Sequence, residues 1–183
     1  MRILKEETAL LVVDLQEKLM PVIGAGQEVI SRAATLIAGI KEFSLPIVVL
    51  RQYPKGLGDT HPEVLVALGE HTPFDKVAYS AMQDQEIINE MRALKARGIK
   101  NVIVCGVESH ICVLQSCIDL MADGFQAIMV ADAVGSRNSY DKEVALLRAG
   151  QEGILLTTVE SILFELCMTA KAEEFKAISK LIR

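Results

Sequence analysis

The stretch IKNVIVCGVESHICVLQSCIDLMA, residues 99–122, contains the pattern that decides the fold. It opens with IKNVIVCGV, a short and mostly apolar run that is typical of a strand covered on both faces. Residues 112–122 then have the apolar spacing of a helix. A buried strand that leads into a helix is the repeating unit of parallel α/β sheets, because parallel strands need a long crossover connection.

The same alternation extends along the chain in both directions. Helical spacing predicts helices over residues 27–43, 86–97 and 140–151, and further helical stretches that start at Val159 and Lys171. The apolar runs between them predict strands at TALLVVD, LPIVVLRQ, FQAIMVADA and GILLTT, which are residues 8–14, 45–52, 125–133 and 153–158. In contrast, YPKGLGDTHPE, residues 53–63, has the composition of turns and loops.

This order of elements predicts a three-layer α/β/α fold with a mostly parallel, Rossmann-like sheet. The sheet has five strands, or six if FDKVAY, residues 74–79, forms a short one. Because no linker or repeat interrupts the alternation, residues 1–183 are predicted to form one domain. Ligands of such sheets bind beyond the carboxyl ends of the strands, so residues at strand ends are the first candidates for a site.

Charge and composition restrict the class of protein. The net charge is −5, and the scattered Lys and Arg residues form no basic patch for a nucleic acid. The apolar runs are shorter than the ~18 residues of a membrane span, and the first is too short for a signal peptide. We therefore expect a cytoplasmic protein with no nucleic-acid or membrane partner, whose four Cys are reduced thiols.

Three chemically active residues lie at or near predicted strand ends, and each also has an ordinary structural interpretation. Asp14 fits a helix N-cap, with Glu17 three residues later as in a capping box. Lys76 fits a solvated surface lysine. Cys112 fits a small buried apolar group, since free Cys is often buried.

Together the three residues make a complete nucleophilic set. A thiol attacks a carbonyl carbon as the thiolate, so its usual pKa of about 8.5 has to be lowered by a helix N-terminus, a cation or a nearby base. Cys112 opens the predicted helix, Lys76 supplies a cation, and Asp14 accepts a proton. This hypothesis requires that the three side chains converge in space.

The residues resemble the isochorismatase-like, or cysteine hydrolase, superfamily, and the resemblance covers essentially the whole chain. Its three motifs occur in order as LLVVDLQ, FDKVAYSA and VIVCGVESHICV, which are residues 10–16, 74–81 and 102–113. The segments GSRNSYDKEVAL and TTVESILFEL also resemble isochorismatase domain-containing proteins. The resemblance implies the isochorismatase-like hydrolase fold and a catalytic triad of Asp14, Lys76 and Cys112.

The resemblance implies further features around Cys112. A cis peptide bond is expected between Val107 and Glu108, which would direct the backbone N–H groups of Glu108 and Cys112 at a developing oxyanion. Gln16 and Tyr79 lie where members of the family often line the substrate pocket. Glu108 and His110 are also candidate substrate contacts, although either side chain fits a purely structural role in the loop.

A metal site is not predicted. The family's metal-binding members carry a segment similar to DWHP after the second strand, whereas this chain has RQYPKGLGDTH, with Asp59 and His61 late and isolated. A zinc site built from Cys105, His110, Cys112 and Cys117 matches no common ligand spacing. GAGQEV, residues 24–29, lacks the third glycine of a dinucleotide fingerprint, so we predict no cofactor.

The leading hypothesis is a cysteine hydrolase that acts on a small-molecule amide or a related carbonyl compound, in a homo-oligomer by analogy with the family. One alternative is a vinyl-ether hydrolase similar to isochorismatase itself. In that class another residue replaces the nucleophile, so Cys112 argues against it. The second alternative is a non-catalytic scaffold or a thiol-based sensor on the same fold.

Overall fold

The computed structural model describes residues 2–183. Six strands form one sheet: β1 Thr8–Val13, β2 Ile47–Gln52, β3 Phe74–Lys76, β4 Asn101–Val107, β5 Gln126–Gly135 and β6 Leu155–Thr157. The strand order is β3-β2-β1-β4-β5-β6, and every neighbouring pair is parallel. The prediction of a mostly parallel sheet is confirmed, including the short sixth strand in FDKVAY.

Eight α-helices connect or follow the strands in the described part of the chain. They are α1 Gly26–Glu42, α2 Pro54–Leu57, α3 Pro62–Leu68, α4 Gln85–Ala96, α5 Leu114–Ala122, α6 Ser139–Gln151, α7 Val159–Cys167 and α8 Phe175–Ile182. None of these helices is both long and apolar enough to cross a membrane.

Two apolar cores cover the two faces of the sheet. All six residues of β1 are buried, and their side chains alternate between the faces, as a strand requires. Leu10 and Val12 pack into the core formed with α1, α3, α7 and α8. Leu11 and Val13 pack into the opposite core, formed with α4, α5 and α6. The predicted three-layer α/β/α arrangement is therefore confirmed.

The strand order reverses at the centre of the sheet. The chain passes from β1 outward through β2 to β3, and then returns to place β4 on the other side of β1. The carboxyl ends of β1 and β4 therefore flank the point of reversal, where open α/β sheets bind their ligands. Asp14 follows β1 there, and Cys112 follows β4 by a short connection.

The segment after β2 differs from its predicted loop structure, because α2, Pro54–Leu57, lies within residues 53–63 and α3 begins at their end. Helix α3 begins at Pro62, a favoured first residue, and the His61 ring accepts a hydrogen bond from Glu63 N. Gly69, with φ of 69°, ends the helix. Val64 and Leu68, one helical turn apart, join the core beside α1, and this burial stabilises a helix that loop composition did not indicate.

Two helices begin later than predicted. The helix after β4 begins at Leu114 instead of Cys112, because a single π-helical turn, Ser109–Val113, precedes it. The last helix begins at Phe175 instead of Lys171. The first of these differences matters for function, because it places Cys112 inside an irregular turn and not at a regular helix start.

Candidate active site

Asp14 is the residue directly after β1, and its backbone turns sharply away from the strand. Its φ is 52°, a left-handed conformation that Asp tolerates better than most residues. The side chain is fully buried, and one oxygen, Oδ1, has no hydrogen-bond partner within residues 2–183. The next helical turn is Met20–Val22, so Asp14 caps no helix and the capping-box interpretation does not apply.

Lys76 ends β3, and its ammonium group is completely enclosed. Nζ donates to Oδ2 of Asp14 at 2.7 Å and to Oε1 of Gln52 at 2.7 Å. It also lies 3.3 Å from the carbonyl oxygens of Ala78 and Tyr79. A buried ion pair is stable only where other polar groups replace the lost water, and these oxygens do so for Lys76. The interpretation of Lys76 as a solvated surface lysine is therefore wrong.

Cys112 lies in the π-helical turn between β4 and α5. The turn is anchored on Glu108, whose carbonyl oxygen accepts hydrogen bonds from the N–H groups of Ile111 and Val113 at 3.1 and 3.2 Å. The charges of the Asp14 carboxylate and the Lys76 ammonium both influence the pKa of the Cys112 thiol. Cys112 as a whole is 7% exposed, so it is buried like Asp14 and Lys76.

Burial, more than the neighbouring charges, favours a protonated Cys112 thiol. Burial raises the pKa of the Cys112 thiol to about 12, with the negative charge of Asp14 contributing and the positive charge of Lys76 opposing. Burial also raises the pKa of Asp14, against the charge and hydrogen bond of Lys76. The sequence suggested a thiol of lowered pKa, whereas this geometry places a protonated thiol beside a carboxylate of increased basicity. That arrangement suits general-base catalysis.

Glu108 uses its side chain to bind Arg137. The peptide bond from Val107 to Glu108 is cis, as the resemblance implied. The Glu108 carboxylate accepts a hydrogen bond from Arg137 N at 2.9 Å and from Arg137 Nε at 3.1 and 3.2 Å. Both oxygens are occupied, so a direct contact of this carboxylate with substrate is not favoured. The oxyanion role of the Glu108 and Cys112 N–H groups stays a prediction.

His110 and Tyr79 lie at the margin of the site. Nδ1 of His110 is 2.9 Å from Oγ of Ser136, and Nε2 is 4.0 Å from Oδ2 of Asp141. Tyr79 is 57% exposed, although its carbonyl oxygen faces the ammonium of Lys76. Both residues are therefore connected to the site and partly open to solvent, and their contacts with substrate stay predictions.

The buried side chain of Gln16 forms hydrogen bonds with two separate backbone segments. Its Nε2 donates to the carbonyl oxygens of Gln52 and Gly58 at 3.0 and 2.8 Å, and its Oε1 accepts from Gln52 N at 2.7 Å. The side chain is fully buried, and backbone groups occupy its amide. The structure therefore favours a positioning role for Gln16 over the predicted contact with substrate.

Gln52 is part of the site although its sequence context did not identify it. Its Oε1 accepts from Lys76 Nζ at 2.7 Å, and its Nε2 donates to the Val77 carbonyl at 2.8 Å. Gln52 ends β2, which lies between β1 and β3 in the sheet. Gln52 lies at a strand end, as Asp14 nearly does, so a search of strand ends could have found it. Its contact with Lys76 could not be predicted without knowing that β2 and β3 are neighbours in the sheet.

The residues considered for metal binding have other partners. Asp59 accepts a hydrogen bond from Arg51 at 2.9 Å, and this bond lowers the pKa of Asp59. Among residues 2–183, no three His, Cys, Asp or Glu side chains are grouped as metal ligands would be. The four cysteines are buried free thiols. We still expect the protein to use no metal and no cofactor.

The family model for the isochorismatase domain matches residues 8–161, which include Asp14, Lys76 and Cys112. The chain therefore belongs to the isochorismatase family, as its motifs predicted. Among its relatives is isochorismatase domain-containing protein 2A of Mus musculus, which is 37% identical over an alignment that covers 100% of this chain and 85% of the relative.

Solved structures show the same fold. The MAR1 ribonuclease from Caenorhabditis elegans is 38% identical, with a TM-score of 0.92 over 100% of this chain and 92% of the other. YcaC from Pseudomonas aeruginosa, solved with hexane-2,5-diol and covalent acrylamide, is 25% identical, with a TM-score of 0.88 over 98% of this chain and 91% of the other.

Proposed function

We propose that the protein is a cysteine hydrolase that cleaves a C–N bond in a small amide or a related carbonyl compound. The observation that carries this proposal is the buried ion pair of Asp14 and Lys76, whose charges act on the Cys112 thiol. The three groups are a nucleophile, a base and a fixed positive charge, which are the parts that acyl transfer through a thioester needs.

In the first half of the reaction, Asp14 accepts the thiol proton while the sulfur of Cys112 forms a C–S bond to the carbonyl carbon. The oxyanion that develops is stabilised by the backbone N–H groups of Glu108 and Cys112. As it collapses, the C–N bond breaks and Asp14 returns the proton to the leaving nitrogen. An amine departs, and a thioester with Cys112 remains.

In the second half, Asp14 accepts a proton from water as the water oxygen attacks the thioester carbon. The C–S bond breaks, the sulfur regains the proton, and a carboxylic acid leaves. Lys76 stabilises the ionised form of Asp14 and the negative charge that develops on sulfur, because its Nζ lies 2.7 Å from Asp14 and its charge acts on the thiol. Proton transfer thus accompanies the attack and needs no preformed thiolate.

The closed surroundings favour a small substrate. Asp14 and Lys76 side chains are fully buried, and Cys112 is 7% exposed. Acrylamide, which is bound covalently in the YcaC structure, is a small amide that reacts with thiols, and it fits this size. The Caenorhabditis relative is named a ribonuclease, but the net charge of −5 here disfavours a polyanionic substrate.

The test is a screen of small primary amides and carbamoyl compounds, together with a single-stranded RNA, for release of ammonia, amine or nucleotide. Replacement of Cys112 by Ala should abolish amide turnover. Cys167→Ala removes another buried thiol, on α7, and should leave turnover intact. Full turnover by Cys112→Ala would end the proposal.

The same screen, extended to a vinyl ether, separates the alternative functions. Turnover of a vinyl ether that survives Cys112→Ala supports an isochorismatase-type reaction. A reactive Cys112 without turnover of any compound supports a thiol sensor. We further propose that residues 1–183 act as one domain in a cytoplasmic homo-oligomer. The exposed apolar residues Tyr140, Val144 and Leu147 of α6 support self-association, which light scattering measures.

A further inference from the structure

A cavity of about 290 Å³ lies between α1, β5, α6 and the start of α7. Three charged residues from three different elements line it: Glu28 of α1, Asp132 of β5 and Lys142 of α6. β5 bulges here, because its register with β4 shifts, and the bulge contains Asp132. None of the lining residues belongs to the candidate active site, so the cavity is a separate feature of the molecule.

The amine of Lys142 has no direct partner, although the residue is partly buried. Within residues 2–183, its Nζ donates no hydrogen bond, and no carboxylate oxygen lies within 4.0 Å of it. Asp132 is bound elsewhere, because its Oδ1 accepts a hydrogen bond from Val159 N at 2.9 Å and its Oδ2 lies 3.9 Å from Arg32 Nε. An ammonium group that loses water without gaining a partner is destabilised.

These surroundings make Lys142 a better nucleophile than a solvated lysine. Burial lowers the pKa of its amine, although the negative charges of Asp132 and Glu28 oppose the shift. The neutral fraction of the amine near pH 7 is therefore larger than for a solvated lysine, and the neutral form attacks carbonyl carbons. The two carboxylates also favour a positively charged adduct, such as an iminium group, over a neutral one.

We propose that Lys142 binds a small aldehyde as a Schiff base in this cavity. Nζ forms a C–N bond to the aldehyde carbon, and the carbonyl oxygen leaves as water. Counted from the ammonium form, two protons leave with the oxygen and one stays on the iminium nitrogen, so the step needs no oxidant or reductant. The cavity is smaller than most ligand pockets, which occupy roughly 300–1,000 Å³, and this restricts the aldehyde to a small one. The activity goes beyond the proposed hydrolase and does not require Cys112.

The experiment is reductive alkylation of the full-length protein with propionaldehyde and sodium cyanoborohydride, which traps each Schiff base as a propyl-lysine. Peptide mass spectrometry gives the rate at every lysine from pH 6 to 10. Lys180, an exposed residue of α8, is the internal reference. Ala131→Leu narrows the cavity, which Ala131 lines, and Ala93→Leu at an exposed position of α4 is the matched control.

At pH 7, Lys142 should be labelled at least about threefold faster than Lys180, because more of its amine is neutral. This advantage should shrink as the pH approaches 10, where the neutral fraction of an exposed lysine increases. Ala131→Leu should lower the Lys142 rate at least about threefold, because the larger side chain fills part of the cavity. Ala93→Leu and Cys112→Ala should change neither rate.

A Lys142 that is labelled no faster than Lys180 at pH 7 would overturn the inference. So would an unchanged Lys142 rate in Ala131→Leu, because the amine would then react outside the cavity. If Ala131→Leu does not fold, cyclohexanecarboxaldehyde tests the same point on the wild type. The preference for Lys142 over Lys180 should be smaller with this bulky aldehyde than with propionaldehyde, and an equal preference would also overturn the inference.

Discussion

Gly106 of β4 lies so close to Val13, the last residue of β1, that a Cβ atom at position 106 would stand 1.9 Å from the Val13 carbonyl oxygen. The two residues are register partners, and Gly106 has a φ of 122°, which residues with side chains rarely adopt. Asp14 follows Val13, and the turn with Cys112 follows β4. This contact therefore helps to set the distance between the proposed base, Asp14, and the proposed nucleophile, Cys112.

Gly106→Ala should lower both stability and activity. The added methyl group has to push the two central strands apart, at a cost of about 2–5 kcal/mol in the free energy of unfolding. Urea unfolding measures this loss, and amide turnover or Cys112 alkylation measures the effect on the site. Gly150→Ala, on helix α6, is the matched control. A Cβ added at Gly150 has no neighbouring atom within 4 Å. A Gly106→Ala protein with wild-type stability would contradict the close contact.

Lys76→Met should be strongly destabilising, because it leaves the carboxylate of Asp14 buried without its cation. Removal of one partner from a buried pair typically costs about 3–5 kcal/mol. The double variant Asp14→Asn with Lys76→Met removes both charges and should lose less stability than the sum of the single variants. Urea unfolding of all four proteins gives the interaction energy of the pair. Additive losses would show that Asp14 and Lys76 are not coupled.

Gln52→Leu should reduce activity with a smaller loss of stability than Lys76→Met. The change removes the acceptor at 2.7 Å from Lys76 Nζ, and a hydrogen bond to a charged group typically contributes about 1.5–3 kcal/mol. Amide turnover and urea unfolding are the measurements. Gln85→Leu, on the exposed face of α4, is the control because its amide contacts Asn89 at the surface. Wild-type turnover in Gln52→Leu would remove Gln52 from the site.

The rate at which iodoacetamide alkylates Cys112 should keep rising with pH above pH 10. The alkylation rate of a free thiol is already constant there. The pKa of Cys112 is raised to about 12 by burial and by the charge of Asp14, so the thiol stays protonated at neutral pH. Below this pKa, each pH unit increases the thiolate fraction about tenfold, whereas a free thiol with a pKa of about 8.5 levels off near pH 9 to 10.

Asp14→Asn should lower the pKa of Cys112, because it removes a negative charge that opposes the thiolate. Its alkylation rate at pH 8 should therefore exceed that of the wild type, although amide turnover is lost with the base. The measurement is the alkylation rate from pH 7 to 10.5 for both proteins. A wild-type rate that levels off below pH 9 would support the low-pKa thiol that the sequence suggested.

Periodicity and strand ends predicted most of the fold and the centre of the site. The apolar runs identified β1 and β4 because these strands are buried on both faces, and their ends located Asp14 and Cys112. Lys76 was placed only at or near the end of a possible strand, since three residues of strand carry little periodic signal. Helix α3 was missed because Gly, Pro and Asp in the preceding loop concealed the apolar spacing of Val64 and Leu68.

The sequence could not predict how polar side chains divide their hydrogen bonds. Gln16 was expected to contact substrate, but backbone groups of two loops occupy its amide. Glu108 was expected in the pocket, but its carboxylate is held by Arg137, which is 29 residues further along the chain. The raised pKa of Cys112 likewise follows from burial by several elements together, which local sequence does not encode.

The three side chains of the site do not depend equally on the stability of the sheet. Asp14 and Cys112 follow the central strands β1 and β4, whereas Lys76 belongs to β3, a three-residue strand at the edge that pairs with β2 alone. Edge strands with few hydrogen bonds open locally at a lower free energy than the core. Detachment of β3 takes the ammonium away while the remaining five strands stay paired. We therefore expect mild denaturant or heat to abolish the proposed activity before the protein unfolds, so that this activity would report the opening of a single strand.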